Sequence, residues 1–130
     1  MPNAKITEQV TFSDAIYPRV SAAVSSSTLL DVSQYGRVAV VASHGTATTA
    51  STFVISLYES TASTWAGAVA TLLSTTTVSI ATAGTSVTTV EAKATDLTEG
   101  DRYLGVYITK TDTASSLSAV FVGGNDRYIG

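Results

Sequence analysis

The chain has 130 residues, no cysteine, one histidine and a formal net charge of −3, and only 13% of its residues are charged. This length suits a single domain around one core, and one histidine without cysteine excludes a zinc site of the usual kind. The seven Lys and Arg residues are spread singly, which excludes the basic patch that binds nucleic acid.

Serine and threonine account for 39 of the 130 residues, and this composition predicts the fold class. Threonine and valine favour the pleated, half-buried surface of a sheet, so we predict an all-β protein. The charged fraction is about half of the ~25% that is usual for soluble domains. Two explanations of the low charge stay open: hydroxyl groups solvate the surface, or neighbouring molecules in an assembly cover part of it.

Alternation of apolar and polar residues predicts the strands. Residues 5–12 alternate in this way and form either an extended arm or a first strand, and residues 15–18 break the pattern because Pro18 restricts the residue before it. Residues 66–73 fit a helical turn or a strand equally well. The remaining predicted strands are residues 19–24, 37–43, 51–59, 74–81, 86–94, 102–109 and 116–122.

Short strands separated by turn signals roughly every 8–12 residues predict an antiparallel β-sandwich of jelly-roll or immunoglobulin-like topology, with seven to nine strands. We expect an extended N-terminal arm at residues 1–18, the sandwich at residues 19–124 and a C-terminal tail at residues 125–130. Residues 1–8 contain no apolar run of the signal-peptide kind, so we expect no signal peptide. The longest stretch of low polarity, residues 65–73, is about half of the ~20 residues that a membrane-spanning helix needs, so we expect no membrane partner.

One local pattern at the start of a predicted strand suggests a specific contact. Leu97 precedes Tyr103 by six residues, with Gly100 between them. This is the layout of a tyrosine corner, in which the phenol hydroxyl bonds to backbone upstream of it. An ordinary loop followed by a tyrosine on a strand explains the same residues, so both alternatives stay open.

Few residues are suited to catalysis. His44 precedes Gly45 in a polar loop and has no Gly-x-Ser-x-Gly nucleophile elbow to serve, so we expect it to be an exposed loop residue. Asp96, Glu99 and Asp101 offer oxygen ligands of the kind that calcium prefers, but a solvated turn fits their spacing better. We therefore assign no catalytic, cofactor-binding or metal-binding residue, and we expect the protein not to be an enzyme.

Trp65 is the single tryptophan and follows the polar loop after the strand at residues 51–59. We expect its ring to close that loop against the core or its rim. The alternative is that the ring anchors a carbohydrate or a protein partner. With exposed tyrosines beside it, such a ring would make the chain a carbohydrate-binding β-sandwich module.

Four groups of residues together carry a resemblance to a known class of protein. They are IYPRV at residues 16–20, DVSQYGRV at residues 31–38, LYES and STW at residues 57–60 and 63–65, and DRYL with VGGNDRY at residues 101–104 and 122–128. In this order and spacing they make the chain resemble small structural proteins encoded in the head-gene region of tailed bacteriophages and prophages. The similarity runs from about residue 16 to residue 128.

The resemblance implies a head decoration or cement protein that binds the outer face of the major capsid protein lattice beside neighbouring copies of itself, commonly as a trimer. It implies a location on the capsid surface of the virion after synthesis in the bacterial host cytoplasm. A tail, neck or head-fibre-base protein is the alternative within the same class. The candidate interface residues, in the arm and the tail, are Ile6, Val10, Phe12, Ile16, Tyr17 and Tyr128.

Overall fold

The computed structural model describes residues 10–26, 29–63, 71–93, 96–98 and 100–124. Within these residues the backbone forms nine strands and one short 3-10 turn, η1 (Val32–Gln34). The strands are β1 (Val10–Val20), β2 (Ala23–Ser25), β3 (Leu30–Asp31), β4 (Arg37–His44), β5 (Ser51–Ser60), β6 (Thr71–Ile80), β7 (Ser86–Lys93), β8 (Tyr103–Lys110) and β9 (Ser116–Gly124).

The strands form two antiparallel sheets, which confirms the predicted β-sandwich. Sheet A has the order β1-β9-β4-β7, and sheet B has the order β2-β8-β5-β6 with β3 also paired to β8. In sequence order, β1 pairs with β9, β2 with β8, β4 with β7 and β5 with β6, as in one long antiparallel hairpin. This hairpin is folded over so that its successive strand pairs belong to the two sheets. The pairs β9–β4 and β8–β5 then complete each sheet. This is the jelly-roll arrangement, one of the two topologies that the sequence left open.

The core lies between the two sheets, and on the side of sheet A it follows from the regular alternation of β4 and β9. Every second residue of β4 is buried, and the pattern repeats in β9. Because successive side chains of a strand point to opposite faces, these residues form one continuous inner layer. The fully buried apolar residues of the four central strands are Val38, Val40, Ala42, Phe53, Ile55, Leu57, Leu104, Val106, Ile108, Leu117, Ala119 and Phe121.

The N-terminal part of the chain differs from the expected division at residue 18. Residues 10–18 belong to β1, which pairs with β9 along sheet A. Two register shifts in this pairing accommodate the edge position of Pro18, where proline is tolerated because no ladder bond is needed. The function of residues 1–18 as an arm stays a prediction, and residues 1–9 and 125–130 lie outside the described residues.

Gly123 on β9 is a point of close contact between sheet A and Tyr35, the residue that follows η1. A Cβ atom added at Gly123 would lie 2.8–2.9 Å from three atoms of the Tyr35 ring, so the whole ring would have to move. We expect Gly123→Ala to lower the free energy of unfolding by about 1–3 kcal/mol, measured by urea denaturation. Tyr35→Ala provides the control, because Gly123→Ala should cost less in that background. Equal costs in both backgrounds would contradict this explanation.

Candidate functional site

A buried polar cluster closes one end of the sandwich, where the β4–β5 and β8–β9 connections meet. We call it the Lys110 cluster; its members are His44, Ser51, Lys110, Asp112 and Ser115, all at most 5% exposed. The Lys110 ammonium donates to the backbone oxygen of Asp112, and to the backbone oxygen and Oγ of Ser115 at 2.6 and 3.1 Å. Three acceptors match the three donors of an ammonium group. Burial lowers the pKa of Lys110, while the charge of Asp112 acts in the opposite direction.

The Asp112 carboxylate joins the two connections. It accepts hydrogen bonds from the N–H groups of Thr48, Thr49 and Ala114 at 2.6, 3.4 and 3.0 Å, and from the Thr48 hydroxyl at 2.9 Å. Burial opposes ionisation, but these hydrogen bonds outweigh it and hold the pKa of Asp112 below its ordinary value. A carboxylate with four donors has little capacity left, so Asp112 acts as a clamp between the connections.

His44 lies inside the Lys110 cluster, which corrects the expectation of an exposed loop residue. It ends β4, is 2% exposed and packs edge-to-face on Phe53, with 5.2 Å between the ring centres. Its Nδ1 lies 2.6 Å from the Gly45 carbonyl oxygen, which places the proton on Nδ1. Its Nε2 therefore accepts from the hydroxyls of Ser51 and Ser115, at 3.2 and 3.3 Å. The alternation of β4 was the signal for this inward orientation.

The Lys110 cluster contains a histidine and hydroxyls but lacks the arrangement of an activated serine. In a triad, a carboxylate accepts from Nδ1 of the histidine; here the Gly45 carbonyl takes that position, and the Asp112 carboxylate is occupied by backbone donors. Both serines beside His44 are buried, and their hydroxyls lie within hydrogen-bond distance of His44 Nε2 inside the cluster. We therefore interpret the cluster as a lock that holds the two connections together.

A second polar group lies at the opposite end of the sandwich, where β3 pairs with β8. The Arg102 guanidinium donates from two nitrogens to the Asp31 carboxylate, and Ser33 donates its N–H and its hydroxyl to the same group. The Arg102 hydrogen bond, followed by that of Ser33, lowers the pKa of Asp31 to about 2. Because Arg102 is half exposed, this ion pair contributes little to stability, and it mainly orients β3 on β8.

Glu59 and Asp101 form a carboxyl pair near the same end. Glu59 is buried in β5 and accepts from the N–H of Thr98 at 2.9 Å and from the Thr98 hydroxyl. Burial raises the pKa of Asp101, and the charge of Glu59 and a hydrogen bond between the two carboxyl groups raise it further. The side chain of Asp101 is thus coupled to a buried carboxylate, and is not the simple solvated turn residue that its spacing suggested.

Asp101→Asn is expected to raise the melting temperature at neutral pH. Because folding raises the pKa of Asp101, its carboxyl group makes its full contribution to the stability of the fold below pH 3.8, the ordinary pKa. This contribution is lost as the pH rises through the pKa of Asp101 in the folded protein. An amide avoids this loss, because it is neutral and can donate to Glu59. Thermal melts at neutral and acid pH measure the effect, with Asp96→Asn as the control. The same gain at both pH values would contradict the explanation.

Asp96, in the connection between β7 and β8, bonds to backbone and not to the pair of Glu59 and Asp101. Asp96 accepts from the N–H of Lys93 at 2.9 Å, and Glu99 lies outside the described residues. Among the residues that the structure describes, no group of three or more His, Cys, Asp or Glu side chains is placed to hold a metal ion. The calcium alternative therefore gains no support from this part of the chain.

The predicted corner of Leu97 and Tyr103 stays a prediction, since residues 94, 95 and 99 upstream of Tyr103 lie outside the described residues. Tyr103 begins β8 opposite Asp31 and Ser60, and Leu97 packs against the core. The Tyr103 ring centre lies 5.4 Å from the guanidinium carbon of Arg102. No hydrogen bond from its hydroxyl to backbone is present among the described residues, and that bond defines a tyrosine corner. Both alternatives, the corner and a tyrosine on an ordinary strand, therefore stay open.

Two of the predicted interface residues are exposed on β1. The side chains of Phe12 and Tyr17 are 57% and 65% exposed. The guanidinium carbon of Arg19 lies 3.6 Å from the centre of the Tyr17 ring. Such a stack holds the ring in a fixed position on the surface and is a common feature of aromatic contact residues.

The other predicted contact residues lie elsewhere. Ile16 differs from the expectation, because a register shift beside it turns its side chain into the core, where it is 4% exposed. Val10 is the first residue of β1, opposite Gly124. Ile6, Trp65 and Tyr128 lie outside the described residues.

An apolar surface on the outer face of sheet A was not singled out from the sequence. Phe12, Val122 and Ala39 lie side by side in adjacent strands, and Val120 and Val41 form the next row. Acidic positions border these rows, with Asp14 opposite Val120 on β1 and Glu91 opposite Ala39 on β7. The four aliphatic residues alternate with buried ones, so they face away from the core and are half buried, while Phe12 at the edge is exposed. The pairing of three strands that are distant in sequence creates this surface, which is why periodicity alone does not reveal it.

A shallow groove of about 420 Å³ lies beside the start of β5 and the end of β6. Its lining residues are Ala50, Ser51, Thr52, Ser79, Ile80 and Ala81. An aromatic ring is the usual platform for a sugar, and this groove has none in its lining. Among the described residues, no helix has the length and apolarity needed to cross a membrane.

Neither the protein-family models nor the curated proteins contain a match to this chain. Solved structures match it by fold. A chain in the structure of infectious bursal disease virus, Gx strain, aligns with 92% of this chain at a TM-score of 0.52 and 11% identity. The PBSX exported protein XepA aligns with 88% of this chain at a TM-score of 0.52 and 14% identity.

This chain spans only about a third of those two proteins, 34% and 37% of their respective lengths. The K1 cleaved adhesin domain of Lys-gingipain from Porphyromonas gingivalis W83 aligns over 88% of this chain and 73% of its own, at a TM-score of 0.50 and 11% identity. At such low identities these similarities establish the β-sandwich fold alone.

Proposed function

We propose that the chain is a non-enzymatic structural protein of a bacteriophage virion that binds the outer face of the major capsid protein lattice as a decoration, or cement, protein and stabilises the head. The observation that carries the proposal is the apolar outer face of sheet A, formed by Phe12, Val122, Ala39, Val120 and Val41. A contiguous apolar patch of this kind is typical of a surface that another protein covers.

The polar residues support a structural role. The Lys110 cluster and the Asp31–Arg102 pair both hold connections between strands, which keeps the sandwich rigid. A rigid sandwich can present the same surface to every site of a lattice. Because many copies bind one particle, weak individual contacts suffice for full occupancy if neighbouring copies also touch.

The number of copies in purified particles tests the proposed location. A decoration protein should be present at a copy number comparable to that of the major capsid protein, measured by quantitative mass spectrometry. A few copies per particle would instead indicate a tail, neck or head-fibre-base protein and would overturn the decoration role. Absence from the virion would overturn the whole proposal.

A matched pair of substitutions tests the contact surface. Val122→Lys places a charge in the apolar outer face of sheet A, and we expect it to weaken binding to expanded capsids at least about tenfold. Val54→Lys is the control, because Val54 is equally half buried on a central strand but lies on the outer face of sheet B. Equal binding by both variants would contradict a contact through sheet A.

A deletion tests whether the N-terminal segment contacts the capsid, but it must be shorter than the whole predicted arm. Residues 10–18 belong to β1, so their deletion would remove a strand of sheet A. A variant that lacks residues 2–9 keeps β1 whole and should bind expanded capsids at reduced occupancy if this segment contacts the capsid or a neighbouring copy. Full occupancy would contradict a contact through the N-terminal segment.

A further inference from the structure

The two sheets end in four edge strands, and three of them carry features that prevent pairing with another chain. A free edge is a template for a further strand, so proteins protect it with charge, proline, bulges or short length. β1 contains Asp14, Pro18 and Arg19 and has two register shifts. β7 ends in Glu91 and Lys93, and β2 has only three residues.

β6 has none of these features over most of its length. It runs for ten residues, Thr71–Ile80, without a charged residue or a proline. Its single register shift lies near its start, and the pairing with β5 is regular from Ser74 to Ile80. In the order of sheet B no described strand lies beyond it. This is the longest unprotected edge of the described sandwich.

The free backbone groups of β6 follow from the hydrogen bonds of β5. The N–H of Thr52 bonds to the Thr111 hydroxyl and its carbonyl accepts from the N–H of Thr111, so Thr52 points its backbone towards the β8 side. Backbone direction alternates along a strand, so Phe53 and Ile55 point towards β6. Their partners, Val78 and Thr76, therefore use their backbone groups within sheet B.

By the same alternation, the residues between those partners direct their N–H and C=O groups outwards. These residues are Thr75, Thr77 and Ser79, and their side chains are also exposed. The result is three consecutive outward-facing donor and acceptor pairs on a flat stretch of strand. This is the backbone pattern that a further antiparallel strand requires.

The surrounding sequence indicates what that further strand is. No Asp, Glu, Lys, Arg or His occurs from Ser60 to Val90. Two copies of β6 placed antiparallel therefore bring no like charges together, although like charges are what usually oppose the pairing of a strand with itself. Threonine side chains opposite threonine are a favourable cross-strand combination.

We propose that β6 pairs with β6 of a second copy of the chain around a two-fold axis near Thr77. The two B sheets then form one continuous sheet of ten strands, with the order β2-β8-β5-β6 followed by its mirror order in the second copy, and with β3 paired to β8 in each. The contact is isologous, since the same residues face each other on both sides. A two-fold pair differs from the trimer that the resemblance implied, and it accounts for the low charge of this part of the chain.

Sedimentation velocity of the purified protein over a concentration series tests the pairing, independently of any capsid. We expect a concentration-dependent dimer. Thr77→Lys places two positive charges opposite each other and should raise the dissociation constant at least about tenfold. Thr89→Lys is the matched control, because Thr89 is also exposed on an edge strand, β7, and this variant should dimerise normally. A monomeric wild type, or equal behaviour of both variants, would overturn the proposal.

Amide hydrogen exchange tests whether the backbone itself forms the contact. The amides of Thr75, Thr77 and Ser79 should exchange fast in dilute solution and become protected as the dimer forms, whereas the amide of Thr76 should be protected throughout. No dependence on concentration at these three amides would overturn the proposal. Loss of the dimer on deletion of residues 2–9 would also overturn it, because the occupant of the edge would then be the N-terminal segment of the neighbour.

Discussion

Replacing Phe53 by Ala is expected to lower the free energy of unfolding by about 4 kcal/mol. The ring is fully buried in β5, between Val78 of β6 and Lys110 of β8. It also packs edge-to-face on His44 of the opposite sheet. Alanine would leave a cavity where both sheets and the Lys110 cluster meet. The buried apolar area of the ring is lost, and the His44 hydrogen bonds are no longer shielded from water by it. Urea denaturation followed by circular dichroism measures the loss.

Val54→Ala is the control for this prediction. Val54 is the next residue of the same strand, but it is half buried on the outer face of sheet B, so we expect a loss of about 1 kcal/mol. A comparable loss in both variants would mean that strand propensity, rather than packing between the sheets, sets the effect. A Phe53→Ala variant as stable as the wild type would contradict the packing described for the core.

Lys110→Met is expected to lower the free energy of unfolding by about 3 kcal/mol, the second largest effect. Methionine keeps the length and the apolar stem of the side chain but removes the three donors. The Ser115 carbonyl oxygen would then lose its 2.6 Å hydrogen bond, and the Asp112 carbonyl oxygen would keep only the bond from the Ser115 hydroxyl, at 3.3 Å. Unsatisfied buried acceptors cost more than the gain from removing a desolvated charge, so the β8–β9 connection should loosen.

Lys93→Met is the matched control, because Lys93 lies exposed at the end of β7. We expect a change below about 0.5 kcal/mol there. Hydrogen exchange at Ala114, whose N–H bonds to Asp112, gives a local readout and should become faster only in Lys110→Met. Unchanged exchange at Ala114 together with unchanged stability would contradict the role assigned to the Lys110 cluster.

The sequence pattern is sufficient to predict the orientation of His44 but not its hydrogen-bond partners. His44 continues the buried series Val38, Val40 and Ala42 at the same two-residue spacing, so its inward orientation was readable from β4 alone. We predicted a loop residue because Gly45 and a polar stretch follow it. Its partner Ser115 is 71 residues away in the chain, and no local pattern relates such positions.

The candidate contact residues also divide into those whose exposure the sequence predicted and one whose orientation depends on the partner strand. Phe12 and Tyr17 were predicted as contact residues from their position near the N-terminus, and both are exposed on β1. Ile16 lies between them in sequence but faces the core, because register shifts in the pairing with β9 change which side chains point inwards. Alternation along an isolated strand cannot indicate a register shift, since the shift depends on the partner strand.

The amino-acid sequence by itself determined an antiparallel β-sandwich with most of its strands in place, because alternation and the preference of Thr and Val for sheets are local properties of the chain. Only the tertiary structure decided the jelly-roll strand order, the Lys110 cluster and the exposed edge of β6. Each of these depends on which distant strands meet, and hydrogen bonds between backbones form with little regard to the side chains that periodicity records.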